Sequence, residues 1–514
     1  MAESHPETRV VMIGLDAVDA TILQQMAAEG RLPTVAALLD ESAVAETINP
    51  IGVFVGALWT SFATAVTAAR HGRHAPTQVV PGTYDMKPLA LADSEHPPFW
   101  QAISDAGRRV AIVDVPHSAP IDDLAGVQVF EWGTHDAALG LHTSPPELAA
   151  DLVARFGQHP IHGDGRDCDT HGDGVKDFLQ LRDGLLHGIV AKTDVNRHVL
   201  AMEQWDLFVT VFSEGQCSVH QCWHLRDQAH PRHDPATARA VGDVVEQVYV
   251  AFDEALSVLL STCDEQTTVL VLASHAAGPH YDGNLLLDAI LRRVEAQSLR
   301  WSRRWTRAAF DWAWPRAGWT LRRKHPRFRD RLWRGWSELP PLNPAGRRYF
   351  AVHNNEPYGG IRLNLIGREP KGRVAAGAAF DAVCAELTRE LLAIVNTETG
   401  DPLVRRVLRT RDVYEGERLD HLPDLLVEWN WDAPIRSIAS PTIGRMERTY
   451  RWVRTGDHRP PGLLIARGPG IAPGRIDPVD VTDIGPTVAA LLGVGLADVD
   501  GHVIERIATS PSMS

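Results

Sequence analysis

Residues 9–19 read RVVMIGLDAVD. Val10, Val11, Met12 and Ile13 run on without polar alternation, which fits a strand covered on both faces of a parallel sheet rather than a half-exposed hairpin strand. The run breaks at Gly14, Leu15 and Asp16, so Asp16 is expected at the carboxyl end of a central strand, where open α/β sheets build their sites. An acid placed there also caps helices, and a helix is predicted from about Ala20. What tips the reading toward a site is that three distant histidines, His220, His275 and His458, each follow or lie beside another apolar run.

Outward from this strand, Ala20 to Asp40 has helical spacing broken at Gly30 and Pro33, which predicts helix, turn, helix. Residues 48–74, INPIGVFVGALWTSFATAVTAARHGRH, begin as a loop and become a helix near Leu58. The helix N-terminus would aim amides with no helical partner at whatever Asp16 binds. A helix from Phe99 leads into RRVAIVDVP, which delivers a second acid, Asp114. Gln128 to Phe130 forms a further strand ending in EWGTHD, whose Glu131, His135 and Asp136 are either ligands, acid/base groups or solubilising loop residues. The His- and Asp-rich loop 159–174 lacks the EF-hand pattern and reads as solvated turns.

The buried run DLFVTVF leads into SEGQCSVHQCWHLRD, where His220 and His224 share a helix face. After one long helix, expected near Ala236 to Ser261, TTVLVLA brings Ser274 and His275 to its end. TGDHRPPGLLIARGPGI places His458 on a loop before another buried strand. Successive parallel strands gather such ends on one edge of a sheet.

Composition bounds the partners. With 514 residues and 44% apolar content the chain can bury a large core. A net charge of -14 argues against nucleic acid as a partner. Five cysteines at unhelpful spacings support neither a disulfide framework nor a cysteine-rich zinc module, and a reducing, cytoplasmic location is expected. The first residues, MAESHPETR, lack a signal-peptide core, and no stretch reaches the ~20 apolar residues of a membrane span.

Between Arg300 and Trp336, seven tryptophans and twelve Arg or Lys face two acids. Such a segment grips phosphate or an anionic membrane surface. Inserted segments in α/β enzymes commonly act as lids, so a helical cap over residues 287–345 is expected, between a first core part at 1–286 and a second at 346–514. Peripheral membrane contact through residues 300–336 is the competing expectation.

Taken in order, IGLDA, ALWTSFATAVTAARHG, SEGQCSVHQ, SHAAGP, GGIRLNLIGREP, TGDHRPPG and DIGPTVAALLGV resemble the alkaline phosphatase superfamily, in its type I phosphodiesterase/nucleotide pyrophosphatase branch. The resemblance implies a three-layer α/β/α sandwich with a mostly parallel central sheet. It also implies two divalent metals, usually zinc, one held by an Asp and two His, the other by two Asp, a His and a nucleophilic Thr or Ser. On that pattern the metal positions fall on Asp16, Gln216, His220, Ser274, His275 and His458, and the nucleophile falls on Val55. Valine cannot attack phosphorus, and Gln216 and Ser274 stand where the family has carboxylates. Asp16, His220, His275 and His458 remain as an N and O set suited to one zinc.

Two readings follow. One is a metal-dependent hydrolase or transferase acting on a phosphate ester, phosphodiester or related anionic ester with altered chemistry, using metal-bound water, or Thr60 or Ser61. Here Glu214 or Asp457 would replace the lost acids if two metals bind. The surviving histidines and the cap favour this reading. The other is a catalytically silent relative that binds an anionic ligand or partner through the same pocket, and the loss of residues the chemistry needs favours it.

Overall fold

A computed structural model describes residues 8–88, 95–118, 120–135, 137, 140–163, 172–296, 344–354, 357–447 and 454–508. The expected cap and membrane segment at 300–336, most of the polar stretch within loop 159–174, and Asp136 lie outside these residues.

Ten strands form the main sheet. From one edge they run Gly474–Arg475, Ala43–Ile48, Gly462–Arg467, Thr267–Ala273, Arg9–Leu15, Leu207–Phe212, Val110–Val113, Gly126–Phe130 and His142–Ser144, with Val479–Asp480 also pairing Ala43–Ile48. The five central strands, from Thr267–Ala273 across to Gly126–Phe130, are parallel to one another. Gly462–Arg467 is antiparallel to both its neighbours.

Arg9–Leu15 sits at the centre for the reason its composition implies. Val10 and Met12 point into one apolar core, with Leu58, Phe62, Phe99, Trp100 and Val488. Val11, Ile13 and Leu15 point into another, with Leu23, Leu185, Val219 and Phe252. A strand that feeds two cores has no face to give to water, so its apolar run is continuous. The helices carrying these partners cover both faces, which makes three layers.

A third apolar core lies beside the sandwich. A four-stranded antiparallel sheet orders Tyr349–Val352, Tyr358–Leu363, Leu425–Trp429 and Val404–Arg409. The helices Asn284–Ala296 and Ala378–Leu392 supply Leu287, Ile290, Leu387 and Leu391 to the same core. The chain therefore enters this unit before residue 287.

Three local expectations differ from the structure. The long helix expected near 236–261 is two helices, Pro235–Val241 and Val244–Leu260, broken at Gly242 with φ 82°. Asp243 restarts the second by accepting from the Glu246 amide. His458 lies on a short strand, Gly456–Arg459, antiparallel to Ala276–Pro279, and not on a loop. The Ala43–Ile48 strand was not foreseen, because AVAETI is too short and too mixed to announce itself.

Candidate functional site

Asp16 leaves the end of its strand with its amide bonded to the Phe212 carbonyl of the neighbouring strand. The helix Glu214–Arg226 starts against it, and the approach is close enough that a side chain at Gly215 would meet the Asp16 carbonyl at 2.3 Å. Gly215 is thus required by packing. On the other side the helix Phe54–Thr64 passes, and Trp59 donates its indole N–H to Asp16 Oδ1 at 3.2 Å.

Ser274, at the end of the adjacent strand, donates to the same oxygen at 2.8 Å and accepts from the Ala17 amide at 3.3 Å. His275 Nε2 stands 3.5 Å from Asp16 Oδ1. Burial pushes the Asp16 carboxyl upward, yet His275, Ser274 and Trp59 together outweigh it and hold the group below its usual range. Asp16 is 3% exposed, so this charge is stabilised by named donors and not by water.

His220 and His458 form a second pair, with Nε2 to Nε2 at 3.1 Å. The ring of His275 lies 4.4 Å, centroid to centroid, from that of His458 and edge-on to it, so the two pairs join. Arg454 Nη2, with two N–H groups, lies 2.6 Å from His220 Nε2, 3.2 Å from His458 Nδ1 and 3.1 Å from Asp457 Oδ1. Desolvation, reinforced by nearby positive groups including Arg454, pushes both histidines well below the ordinary imidazole range.

These groups border a cavity of about 220 Å³. Asp16, Val55, Gln216, His275 and His458 line it, and so do Thr60, Arg73, Glu131, Thr134 and His135. Asp16, His275, His458 and His220 are thus brought together, with His220 behind His458. Val55, in the first turn of its helix, faces the cavity where the family resemblance puts the nucleophile. Gln216 reaches His135 Nδ1 at 3.3 Å through its amide nitrogen.

The remaining candidates separate. Thr60 lines the cavity, and its hydroxyl is buried without a hydrogen-bond partner. Ser61 is turned away, into a different cavity with Tyr414 and Asp480. It is 2.9 Å from His71 Nε2, while His71 Nδ1 accepts from the Arg73 amide. The His71 proton is therefore on Nε2 and is donated to Ser61, the reverse of what an activated nucleophile needs. His224 leaves the site as well: it bonds Thr455 Oγ1 at 3.1 Å and packs against Phe178. Glu214 turns Oε1 to His159 Nε2 at 3.0 Å and does not line the cavity, and Asp457 is turned to Arg454 and the His458 amide.

The EWGTHD loop is the main contribution that periodicity left undecided. Asp114, held at φ 51°, accepts from the Trp132 and Gly133 amides at 2.9 and 2.8 Å and pairs with Lys192 at 2.9 Å. Both side chains of this ion pair are fully buried. The pair fixes the loop so that Glu131, Thr134 and His135 reach the cavity. The sequence signal was present in Asp114, a strand-end acid like Asp16, but its partner Lys192 lies in a helix far along the chain.

Donor chemistry decides whether two dications fit here. Gln216 and Ser274 bring no charge, Val55 brings no oxygen, and Asp16 Oδ1 already receives two protein donors. A guanidinium has no acceptor atoms, so His220 Nε2, 2.6 Å from Arg454 Nη2, is an unprotonated lone pair already in use, and the same positive charge stands 3.2 Å from His458 Nδ1. Among the described residues, no group of three or more His, Cys, Asp or Glu is arranged to hold a metal ion. The residues present do not fit the two-metal centre.

Comparisons with known proteins agree with the fold. The family described as Type I phosphodiesterase / nucleotide pyrophosphatase matches residues 10–451. Among solved structures, phosphonoacetate hydrolase from Sinorhizobium meliloti 1021, in complex with phosphonoacetate, is similar at 14% identity and TM-score 0.53, covering 95% of this chain and 96% of that one. Murine ectonucleotide pyrophosphatase/phosphodiesterase 5 is similar at 11% identity and TM-score 0.50, covering 98% and 100%. At such identity these two likenesses speak to the fold. No curated protein matches the chain significantly.

Proposed function

Because the chain belongs to the type I phosphodiesterase/nucleotide pyrophosphatase family, whose chemistry is phosphoester hydrolysis, we propose that its cavity receives a phosphate-bearing small molecule and holds it without two-metal hydrolysis. One observation carries the reading. The atoms that would hold metals and attack phosphorus are replaced by neutral side chains or are bonded to protein donors, from Ser274 on Asp16 to Arg454 on His220. Loss of carboxylates removes the negative charge that keeps two dications about 4 Å apart.

Binding is supported by other groups. Arg73 lines the cavity and is 5% exposed, supplying fixed positive charge in a protein of net charge -14. Thr60 and Thr134 line it too, and among the described residues their hydroxyls are buried without a hydrogen-bond partner, which is costly unless a ligand or water completes them. A phosphate oxygen accepts from each of these donor types.

A second reading keeps the enzyme, with Thr60 as the nucleophile, because Thr60 lines the cavity whereas Ser61 lines a different one. Its weakness is that, among the described residues, no base is hydrogen-bonded to the Thr60 hydroxyl. Calorimetric titration with phosphonoacetate, bis(p-nitrophenyl) phosphate and a nucleoside monophosphate, alongside assay of ester cleavage, separates the two. Saturable binding without cleavage supports the first reading. Cleavage abolished by Thr60→Val supports the second.

A further inference from the structure

The geometry points to Arg454 as a built-in cation that takes over the His220–His458 corner and excludes a metal ion from it. Each imidazole nitrogen offers one lone pair, either to a metal or to a hydrogen-bond donor. His220 Nε2 gives its lone pair to Arg454 Nη2 at 2.6 Å and faces His458 Nε2 at 3.1 Å. His458 Nδ1 lies 3.2 Å from the same guanidinium nitrogen and 3.5 Å from Asp457 Oδ1. The His220 Nε2 lone pair is then taken, and a dication reaching for His458 would meet the guanidinium as well.

The corner is also balanced in charge without a metal. Arg454 pairs with Asp457 Oδ1 at 3.1 Å, and that oxygen in turn receives the His458 amide at 2.8 Å. Asp457 is 0% exposed and Arg454 only partly exposed, so their charges act at short range and with little screening. A dication entering between the two histidines would stand beside a guanidinium, with Gln216 in place of the carboxylate that would offset the repulsion. Arginine stays protonated at every working pH, so this positive charge is permanent and survives chelators.

This inference deepens the reading of the cavity as a site that has given up two-metal chemistry, but its test needs no phosphate ligand, so the two can fail separately. Chelator-treated protein is titrated with Co²⁺, and the visible absorption of protein-bound Co²⁺ is followed for the wild type, His220→Gln, Arg454→Met and Arg454→Met/Gln216→Asp. Circular dichroism confirms that each is folded. The wild type is expected to show no saturable signal beyond that of His220→Gln, and the double variant to take up one equivalent. A wild type that binds one equivalent, lost in His220→Gln, would overturn the inference even if the Arg454 variants fail to fold. A folded double variant that takes up none would overturn it as well.

Discussion

The Ser274 hydroxyl donates to Asp16 Oδ1 at 2.8 Å, joining the ends of two neighbouring strands from residues 258 positions apart. At this position the family resemblance calls for an acid that would share a dication with Asp16. A neutral donor there makes Asp16 comfortable as a lone buried carboxylate.

Ser274→Asp should therefore be destabilising, because two carboxylates in contact cannot both ionise in a buried site. One member of the pair would have a folded-state pKa raised above its unfolded value. Stability is then lost as pH rises through the unfolded and toward the folded value, and regained in acid. Urea unfolding should show a loss on the order of 3 kcal/mol at neutral pH, shrinking toward roughly pH 5. A variant as stable as the wild type at pH 8 would show that Ser274 is not the donor sustaining Asp16.

Thr134→Val should separate stability from binding. Its hydroxyl is buried without a hydrogen-bond partner, so removing it leaves stability unchanged or raises it by up to about 1 kcal/mol. Affinity for a phosphate-bearing ligand should fall by roughly tenfold, the worth of one charge-assisted hydrogen bond. Calorimetry on the two proteins reads both effects, and unchanged affinity would remove Thr134 from the ligand's contacts.

Lys192→Met tests the device that positions the EWGTHD loop. It leaves Asp114 charged, fully buried and without its cation, for a cost of about 3–5 kcal/mol in urea unfolding. Ligand affinity should fall as well, because Thr134 and His135 ride on the loop that Asp114 holds. A loss of stability with affinity intact would show that the loop keeps its place without the pair.

His71 gives the pH prediction. Burial, with a smaller contribution from Arg73, lowers its pKa from 6.5 to about 3. Its folded-state value is depressed, so the unfolded chain takes up a proton that the folded chain refuses. Stability is full above pH 6.5 and falls as the pH drops toward 3, by up to about 1.4 kcal/mol per pH unit for this one group. His71→Gln, which keeps a donor for Ser61, should flatten that acid slope. A slope unchanged in the variant would mean that His71 is protonated in the folded state.

The central strands were legible because burial on both faces demands uninterrupted apolar residues, as in VVMI and LFVTVF. Asp16, Ser274 and His275 could be placed because each follows such a run within a few residues, whereas Gln216 was placed by the family resemblance alone. Edge elements were harder to read. The Ala43–Ile48 strand and the His458 strand derive their conformation from partners far along the chain, at Gly462–Arg467 and Ala276–Pro279. Arg454 was invisible for the same reason: nothing in RTGDHR tells that its arginine folds back onto His220. Ser61 and Thr60 are adjacent in sequence, and only the rotation of the helix Phe54–Thr64 decides that Thr60 faces the cavity and Ser61 faces His71. The choice between them could not be made from periodicity in a helix buried nearly all round.

On the proposed function, the cavity binds a phosphate ester and leaves it intact. Incubating the wild-type protein with bis(p-nitrophenyl) phosphate in the presence of zinc, following p-nitrophenol release and determining binding of the same compound by calorimetry tests this. A saturable complex is expected, weakened by Arg73→Ala, from which the ester is recovered unchanged. Release of p-nitrophenol that requires zinc and disappears in His220→Gln would contradict it.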